Sequence, residues 1–311
     1  VIGCYRCRVA VASVAPALSL VRWISGATEV RPAVVGVVNV TPDSFSDGGR
    51  YLGADDAAAQ VDRLLAEGAD VIEIGGESTR PAGAAYGAGY TPVDADTQIR
   101  RVSPVIAYAA KRGARIAIDT TSPRVASAAI EAGARIVNDV SCMADPGLAA
   151  VVAAHREVDL VIMHAWPGST GGHPELFDAI VREWRAAAGV AMERGVARER
   201  IVFDPGIGFG KNAEENLALI AGTASFSALG HPIYVGPSRK SFIASCEERV
   251  GLGKSAPIDR VGGTIAACLS AASRGAAALR VHDVRALRQA LAVWSALGEG
   301  ATAAVARAEA S

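Results

Sequence analysis

The sequence predicts a single α/β domain, a TIM (β/α)8 barrel, on three observations. From Ala33 onward, short β-branched runs alternate with Ala-rich stretches of helical period, the order of βα units around a parallel sheet. Eight such runs can be counted, and eight parallel strands close a barrel. Most of the runs are apolar nearly throughout, as strands covered on both faces are. The chain has 311 residues, 50% of them hydrophobic, and barrels of this class reach about 250 residues as one domain. Residues 31–298 therefore read as the barrel, 1–30 as a loosely structured N-terminal extension and 299–311 as a C-terminal tail.

Ala33–Val38 is the first strand, followed by a helix over Ala54–Glu67 with apolar residues near every third or fourth position and Gly68 as its C-cap. Asp70–Ile74 is the second strand and Asp96–Lys111 its helix. After the third strand, Arg115–Ile118, a helix runs from Arg124 to Ala132: Pro123 suits its first turn, where no N–H is needed, and Gly133 ends it. Arg135–Val137 and Asp159–Met163 are the fourth and fifth strands, with a helix over Pro174–Arg194. Ile201–Phe203, Ile233–Val235 and Ala277–Arg280 complete the barrel, with helices over Ala213–Ala221, Ser241–Val250, Asp259–Arg274 and Val284–Leu297.

Lys and Arg total 31 against 32 Asp and Glu, a net charge of −1, without a sustained basic run. Nucleic-acid and anionic-membrane partners, which need such runs, lack support. The five cysteines are odd in number and sparse for the length, which speaks for a reducing, cytoplasmic compartment. Cys4 and Cys7 form a lone Cys-x-x-Cys with no second ligand pair at zinc-finger spacing. Val9–Val21 has the apolarity of a signal peptide but contains Pro16, is followed by Arg22, and is too short to span a bilayer.

In such a barrel the active site lies where the strands end. Read in order, those ends carry Asn39, Glu77-Ser78-Thr79-Arg80, Asp119, Asn138-Asp139, Met163-His164, Asp204, Ser238-Arg239-Lys240-Ser241, and Arg280 with His282. Amides, carboxylates and cations converging on one rim describe a pocket for a polar ring and an anion together.

Gly236-Pro237-Ser238-Arg239-Lys240-Ser241 opens a helix, so its backbone N–H groups and dipole favour an anion, reinforced by Lys240 and Ser241. Arg280 and His282 alternate along an extended segment and project to the same side, where they can grip a diphosphate. Asp204–Lys211 is Gly-rich but is not a P-loop: three residues separate Gly206 from Gly210, and Asn212 follows Lys211. Asn39–Gly49 combines turn formers with Phe45 and suits a loop over the site. Zinc-hydrolase and serine-nucleophile motifs are absent from the sequence. A magnesium ion carried by substrate phosphates is compatible, since Mg²⁺ often takes only one or two protein ligands.

Taken together, Asn39–Gly49, Gly75-Gly76-Glu77-Ser78-Thr79-Arg80-Pro81, Asn138-Asp139, Asp204–Lys211, Ser238–Ser241 and Arg280–Asp283 resemble the dihydropteroate synthase family over about Arg31 to Leu297. The resemblance implies a cytoplasmic, homodimeric folate-pathway transferase. Such an enzyme joins 4-aminobenzoate to 6-hydroxymethyl-7,8-dihydropterin diphosphate, releases diphosphate with Mg²⁺ assistance, and is a sulfonamide target. On the family pattern Asp119, Asn138, Asp204 and Lys240 line the pterin pocket, where the carboxylates accept from the ring while Asn138 and Lys240 donate. Met163 and Gly236 also contact substrate on this pattern. Asn39, Arg280 and His282 hold the diphosphate, and Asn39 and Asp47 contact Mg²⁺. Thr79, Arg80, Pro81, Phe209 and Ser241 shape the aminobenzoate site. The resemblance gives Lys240, Arg280, His282 and Asp119 the catalytic roles.

Three places depart from the family pattern: the long, Gly-rich Ala82–Val93, the run Ala165-Trp166-Pro167-Gly168, and Pro237. The altered rim loops motivate a second reading, a catalytically silent pterin-binding homologue. A third, a pterin-dependent methyltransferase, is disfavoured by Ser238–Ser241 and Arg280–His282.

Overall fold

The computed structural model describes Trp23 and residues 31–40, 52–77, 93–167 and 169–309. Eight parallel strands close into one barrel in chain order. They are β1 (Ala33–Asn39), β2 (Val71–Gly75), β3 (Arg115–Asp119), β4 (Ile136–Asp139), β5 (Asp159–Met163), β6 (Ile201–Asp204), β7 (Ile233–Val235) and β8 (Ala276–Val281). All eight expected strands are present. Several run one or two residues further than expected, so Asn39, Asp119, Asn138, Asp139 and Asp204 stand inside the sheet and not on loops. Ladder pairing, on both sides for Asp119 and Asn138 and on one for Asn39, Asp139 and Asp204, gives these polar groups a more rigid mounting than a loop does.

The helices are α1 (Leu52–Ala66), α2 (Ala95–Lys111), α3 (Pro123–Ala132), α4 (Gly147–Ala154), α5 (Leu176–Glu193), α6 (Ala213–Ala221), α7 (Ser241–Arg249), α8 (Val261–Ala272) and α9 (Val284–Glu309). Their starts follow local chemistry. Asp94 accepts from the Thr97 N–H ahead of α2, Ser122 caps α3 with Pro123 in its first turn, and Asn212 and Glu215 form a reciprocal capping box on α6. Three expectations change. The segment Gly-Leu-Ala-Ala-Val-Val-Ala-Ala forms α4 although it has no polar face to betray a helical period. The expected helix over Asp259–Arg274 begins as a 3-10 turn, Pro257–Asp259, before α8. Finally, α9 continues through Glu309, into the segment expected to be a tail. None of the helices among the described residues is long and apolar enough to cross a membrane.

Side chains alternate across each strand, and this parity sorts the barrel into an outer shell and an interior. Outward residues such as Val34, Val38, Ile72, Ile74, Ile116 and Ile118 pack beneath the helices in the main core. Inward residues at the N-terminal end, among them Val35, Val71, Ala117, Ile136, Val161, Val202 and Tyr234, form a second, smaller core inside the barrel. Trp23 belongs to that inner core: it is buried, meets Tyr234 edge-on at 6.4 Å, and donates its indole N–H to Asp159 Oδ2 at 2.6 Å. The extension expected to be loose thus sends at least one side chain into the barrel floor, because an indole supplies the apolar volume that the small Ala and Val side chains leave and a donor for a buried carboxylate.

Replacing Trp23 by Ala removes that floor and is expected to destabilise the full chain by about 3–5 kcal/mol, read as a lower midpoint in urea unfolding.

Candidate active site

The inward parity, carried upward, selects the site. Asn39, Gly75, Asp119 and Asn138 lie in one register row across β1 to β4, and Met163 pairs with Asp204 across β5 and β6. At this C-terminal mouth a cavity is lined by Asp119, Asn138, Val140, Met163, Asp204, Phe209, Gly236, Lys240 and Arg280. Eight of the nine were expected at a ligand; Val140 was not, and nothing but its place two residues beyond Asn138 could have pointed to it.

Charge is concentrated here against low exposure. Loss of water, and then the negative charge of Glu73, push the Asp119 carboxyl up to about 7 against the pull of Arg280. Burial likewise raises Asp204 to about 6, although Lys240 and the Gly206 N–H, which donates to Asp204 Oδ1 at 2.7 Å, favour its charged form. Lys240 moves the other way: loss of hydration lowers it to about 7 despite the attraction of Asp204. Its ammonium donates to the Ile207 carbonyl and lies 4.6 Å from the Phe209 ring centroid.

The loop between β6 and α6 is shaped by what passes over it. Gly206, at φ +69°, leaves no room for a Cβ, which would stand 1.8 Å from the His164 carbonyl oxygen. A Cβ on Gly208, at φ +83°, would stand 2.8 Å from Lys240 Cδ, so this glycine lets the lysine stem reach the cavity. Lys211 fixes the same loop by donating to the Gly206 and Phe209 carbonyls, both at 3.0 Å. The unusual run after His164 packs alongside: Trp166 donates to Glu183 Oε2 at 2.8 Å, stacks on His173 with ring centroids 3.7 Å apart, and faces the Lys211 ammonium.

Two residues absent from the sequence reading hold the floor of the site. Glu73, fully buried on β2, accepts from Arg280 Nε at 2.5 Å, Asn138 Nδ2 at 3.1 Å and the Tyr234 hydroxyl at 2.8 Å. The signal available was a lone carboxylate at an inward position of the run Val71-Ile72-Glu73-Ile74. Its presence adds a protein partner to two residues expected at the ligand. Asn138 donates one of its two amide N–H bonds to Glu73, and its Oδ1 is buried without a protein partner. Arg280, expected beside His282 on the diphosphate, lines the cavity with its guanidinium also bound to Glu73 and 3.4 Å from Asp119 Oδ2. His282 Nδ1 lies 3.0 Å from Ser238 Oγ. Ser241 opens α7 directly after Lys240.

Glu77 is structural, accepting from the Val93 N–H and the Gln98 amide, and Asp139 ties down the following turn through Ser141 and Met143. Asp47, Thr79, Arg80 and Pro81, like Phe45, Cys4 and Cys7, lie outside the described residues.

The family model for pterin binding enzymes matches residues 35–282. The dihydropteroate synthase of Neisseria meningitidis serogroup B is 38% identical over 289 residues, covering 89% of this chain and 97% of that protein. This chain belongs to the pterin-binding enzymes, in the dihydropteroate synthase family. Dihydropteroate synthase of Xanthomonas albilineans, solved with 4-aminobenzoic acid, superposes with a TM-score of 0.78 at 42% identity, covering 86% of this chain and 93% of that one. The probable bifunctional folylpolyglutamate synthase/dihydropteroate synthase of Haloferax volcanii is 39% identical over 257 residues, and this chain spans 29% of its length. The dihydropteroate synthase fold thus accounts for the whole described barrel, and its cavity lies at the mouth that the parity of the strands selects.

Asp119 provides a pH test. Its folded pKa of about 7 lies above the ordinary value of 3.8, so between these pH values the folded chain binds more protons than the unfolded one and loses stability as pH rises. In Asp119→Asn that loss disappears: urea unfolding of the ligand-free protein should show the variant gaining on the unaltered chain from pH 4 to pH 7 and keeping the gain above it.

Proposed function

We propose that the chain condenses 6-hydroxymethyl-7,8-dihydropterin diphosphate with 4-aminobenzoate, giving 7,8-dihydropteroate and diphosphate. The observation that carries this reading is the set of buried acceptors on residues that line one cavity. Among the described residues Asp119 Oδ1 and Asn138 Oδ1 are buried without a hydrogen-bond partner. Leaving such atoms unpaired costs about 1–3 kcal/mol each, a cost that a ring carrying N–H and amino donors removes. Asp204 adds a carboxylate to this edge and Lys240 a donor to the ring's acceptors.

On this reading the pterin lies against Arg280, whose charge steadies the ring edge bound to Asp119. Asn39, at the end of β1, and the Ser238–His282 pair follow their strands toward the mouth, where the diphosphate departs. Phe209 and Ser241, the latter in the first turn of α7, shape the aminobenzoate side together with Thr79, Arg80 and Pro81; the helix N-terminus suits a carboxylate. The amine attacks the pterin methylene as the bond to the diphosphate oxygen breaks, so positive charge at the methylene and negative charge on the leaving group develop together. Fixed cations stabilise the leaving group, and a covalent enzyme intermediate is not needed.

Mg²⁺ fits this site as a substrate-carried ion. No group of three His, Cys, Asp or Glu among the described residues could hold one, while a single carboxamide, Asn39, at the end of β1, matches the one or two protein ligands such an ion takes, Asp47 being the second that the resemblance implies. When bound, Mg²⁺ supplies charge neutralisation to the departing diphosphate. We further propose a cytoplasmic homodimer inhibited by sulfonamides that compete for the aminobenzoate site.

Purified protein given both substrates and Mg²⁺ should form dihydropteroate, followed by mass, and binding of the pterin diphosphate without product would favour the silent homologue. Chelation of the metal should abolish turnover and Mg²⁺ restore it. Asp204→Asn should lower kcat/KM for the pterin substrate by about 10- to 100-fold, the loss of a charged hydrogen-bond acceptor. Arg280→Ala is a poorer control, because it strands the buried Glu73 carboxylate.

A further inference from the structure

We infer that Glu73 and Tyr234 are positioning residues that keep Asp119 and Asn138 available to the pterin, acting from beneath the cavity and without touching the ligand. The inference rests on the pterin-binding reading above. Neither residue lines the cavity, yet Glu73 gathers donors from three other strands: Arg280 on β8, Asn138 on β4 and Tyr234 on β7.

The geometry gives each contact a consequence. Arg280 has two carboxylates within reach, Glu73 at 2.5 Å and Asp119 at 3.4 Å. The closer one restrains the guanidinium, so Asp119 keeps Oδ1 without a protein partner and turned to its other neighbours. Without a negative charge at Glu73 the guanidinium is free to close fully on Asp119, in the bidentate geometry that Arg and carboxylates favour. Asp119 would then be occupied before the ligand arrives. The Asn138 amide likewise has two orientations, and only an acceptor beneath it makes Oδ1 the atom presented upward.

Tyr234 completes the support. Its hydroxyl is a third donor to Glu73, its ring is fully buried, and Trp23 packs edge-on against it from the barrel floor. The phenol, itself outside the cavity lining, therefore fixes the carboxylate through a buried hydrogen bond.

The experiment uses the full chain, with Glu73→Gln and Tyr234→Phe. Pterin diphosphate binding is measured by titration calorimetry, and KM for 4-aminobenzoate is measured at saturating pterin. Glu73→Gln should weaken pterin binding about tenfold, and Tyr234→Phe, which keeps the ring on Trp23, about threefold. The aminobenzoate KM should stay within twofold of the unaltered chain in both. A structural role alone would lower the melting temperature and affect both substrates alike, and that result would overturn the inference. So would pterin binding unchanged within twofold in both variants. If Glu73→Gln fails to fold, Tyr234→Phe decides by the same criteria. An unaltered chain that does not bind pterin diphosphate overturns the functional reading and this inference with it. An unaltered chain that binds, beside variants that bind equally well, overturns this inference alone.

Discussion

Glu73 and Arg280 place opposite charges 2.5 Å apart inside a closed barrel, and the shape of the cavity depends on that pair. Buried ion pairs contribute little net stability, since desolvation cancels much of the attraction, but breaking one is costly because the remaining charge has nowhere to go. The arginine is therefore confined. Its guanidinium is held between Glu73 and Asp119, and Asn138 and Tyr234 donate to the same Glu73 carboxylate. Raised carboxyl pKa values at Asp119 and Asp204 and a lowered one at Lys240 express the same confinement: three ionisable groups lie near their midpoint at neutral pH, so a ligand's own donors and acceptors decide which form each adopts.

That confinement is affordable only because the barrel alternates its side chains so regularly. Outward positions supply the apolar shell beneath the helices, and inward positions change from small apolar residues at one end to amides and charges at the other. Stability and chemistry occupy different ends of the same strands. The loop from Asp204 to Lys211 adds a close backbone approach, made possible by glycines at positive φ where the Lys240 stem and the His164 carbonyl pass.

Much of this was legible from the residues. Every strand could be recognised as a short apolar run; Asn39, Asp119, Asn138 and Asp204 announced themselves by ending those runs, and Lys240 by its place before a helix. What escaped has a physical pattern. Glu73 and Tyr234 sit within apolar runs, where a polar group looks like an interruption until the parity of the barrel aims it at a partner. The partner of Glu73 is 207 residues away, a distance no local spacing can reveal. Arg280 was seen, but its direction was not, since that is set by those distant carboxylates. The helix α4 has no polar face, so its periodicity is silent. Trp23 lies in a segment whose composition carries no signal of order.

Trp23 also has a temporal meaning. Its indole meets Asp159 across 136 residues of chain, and its other neighbour, Tyr234, comes later still. During synthesis the tryptophan is made 136 residues before Asp159 and must wait through the first four strands before this acceptor exists for it. Non-local contacts of this kind slow folding, because loop closure comes before the contact rewards it. The floor of the barrel is thus sealed late, by a residue made early, and until then the small inner core is open to water from below.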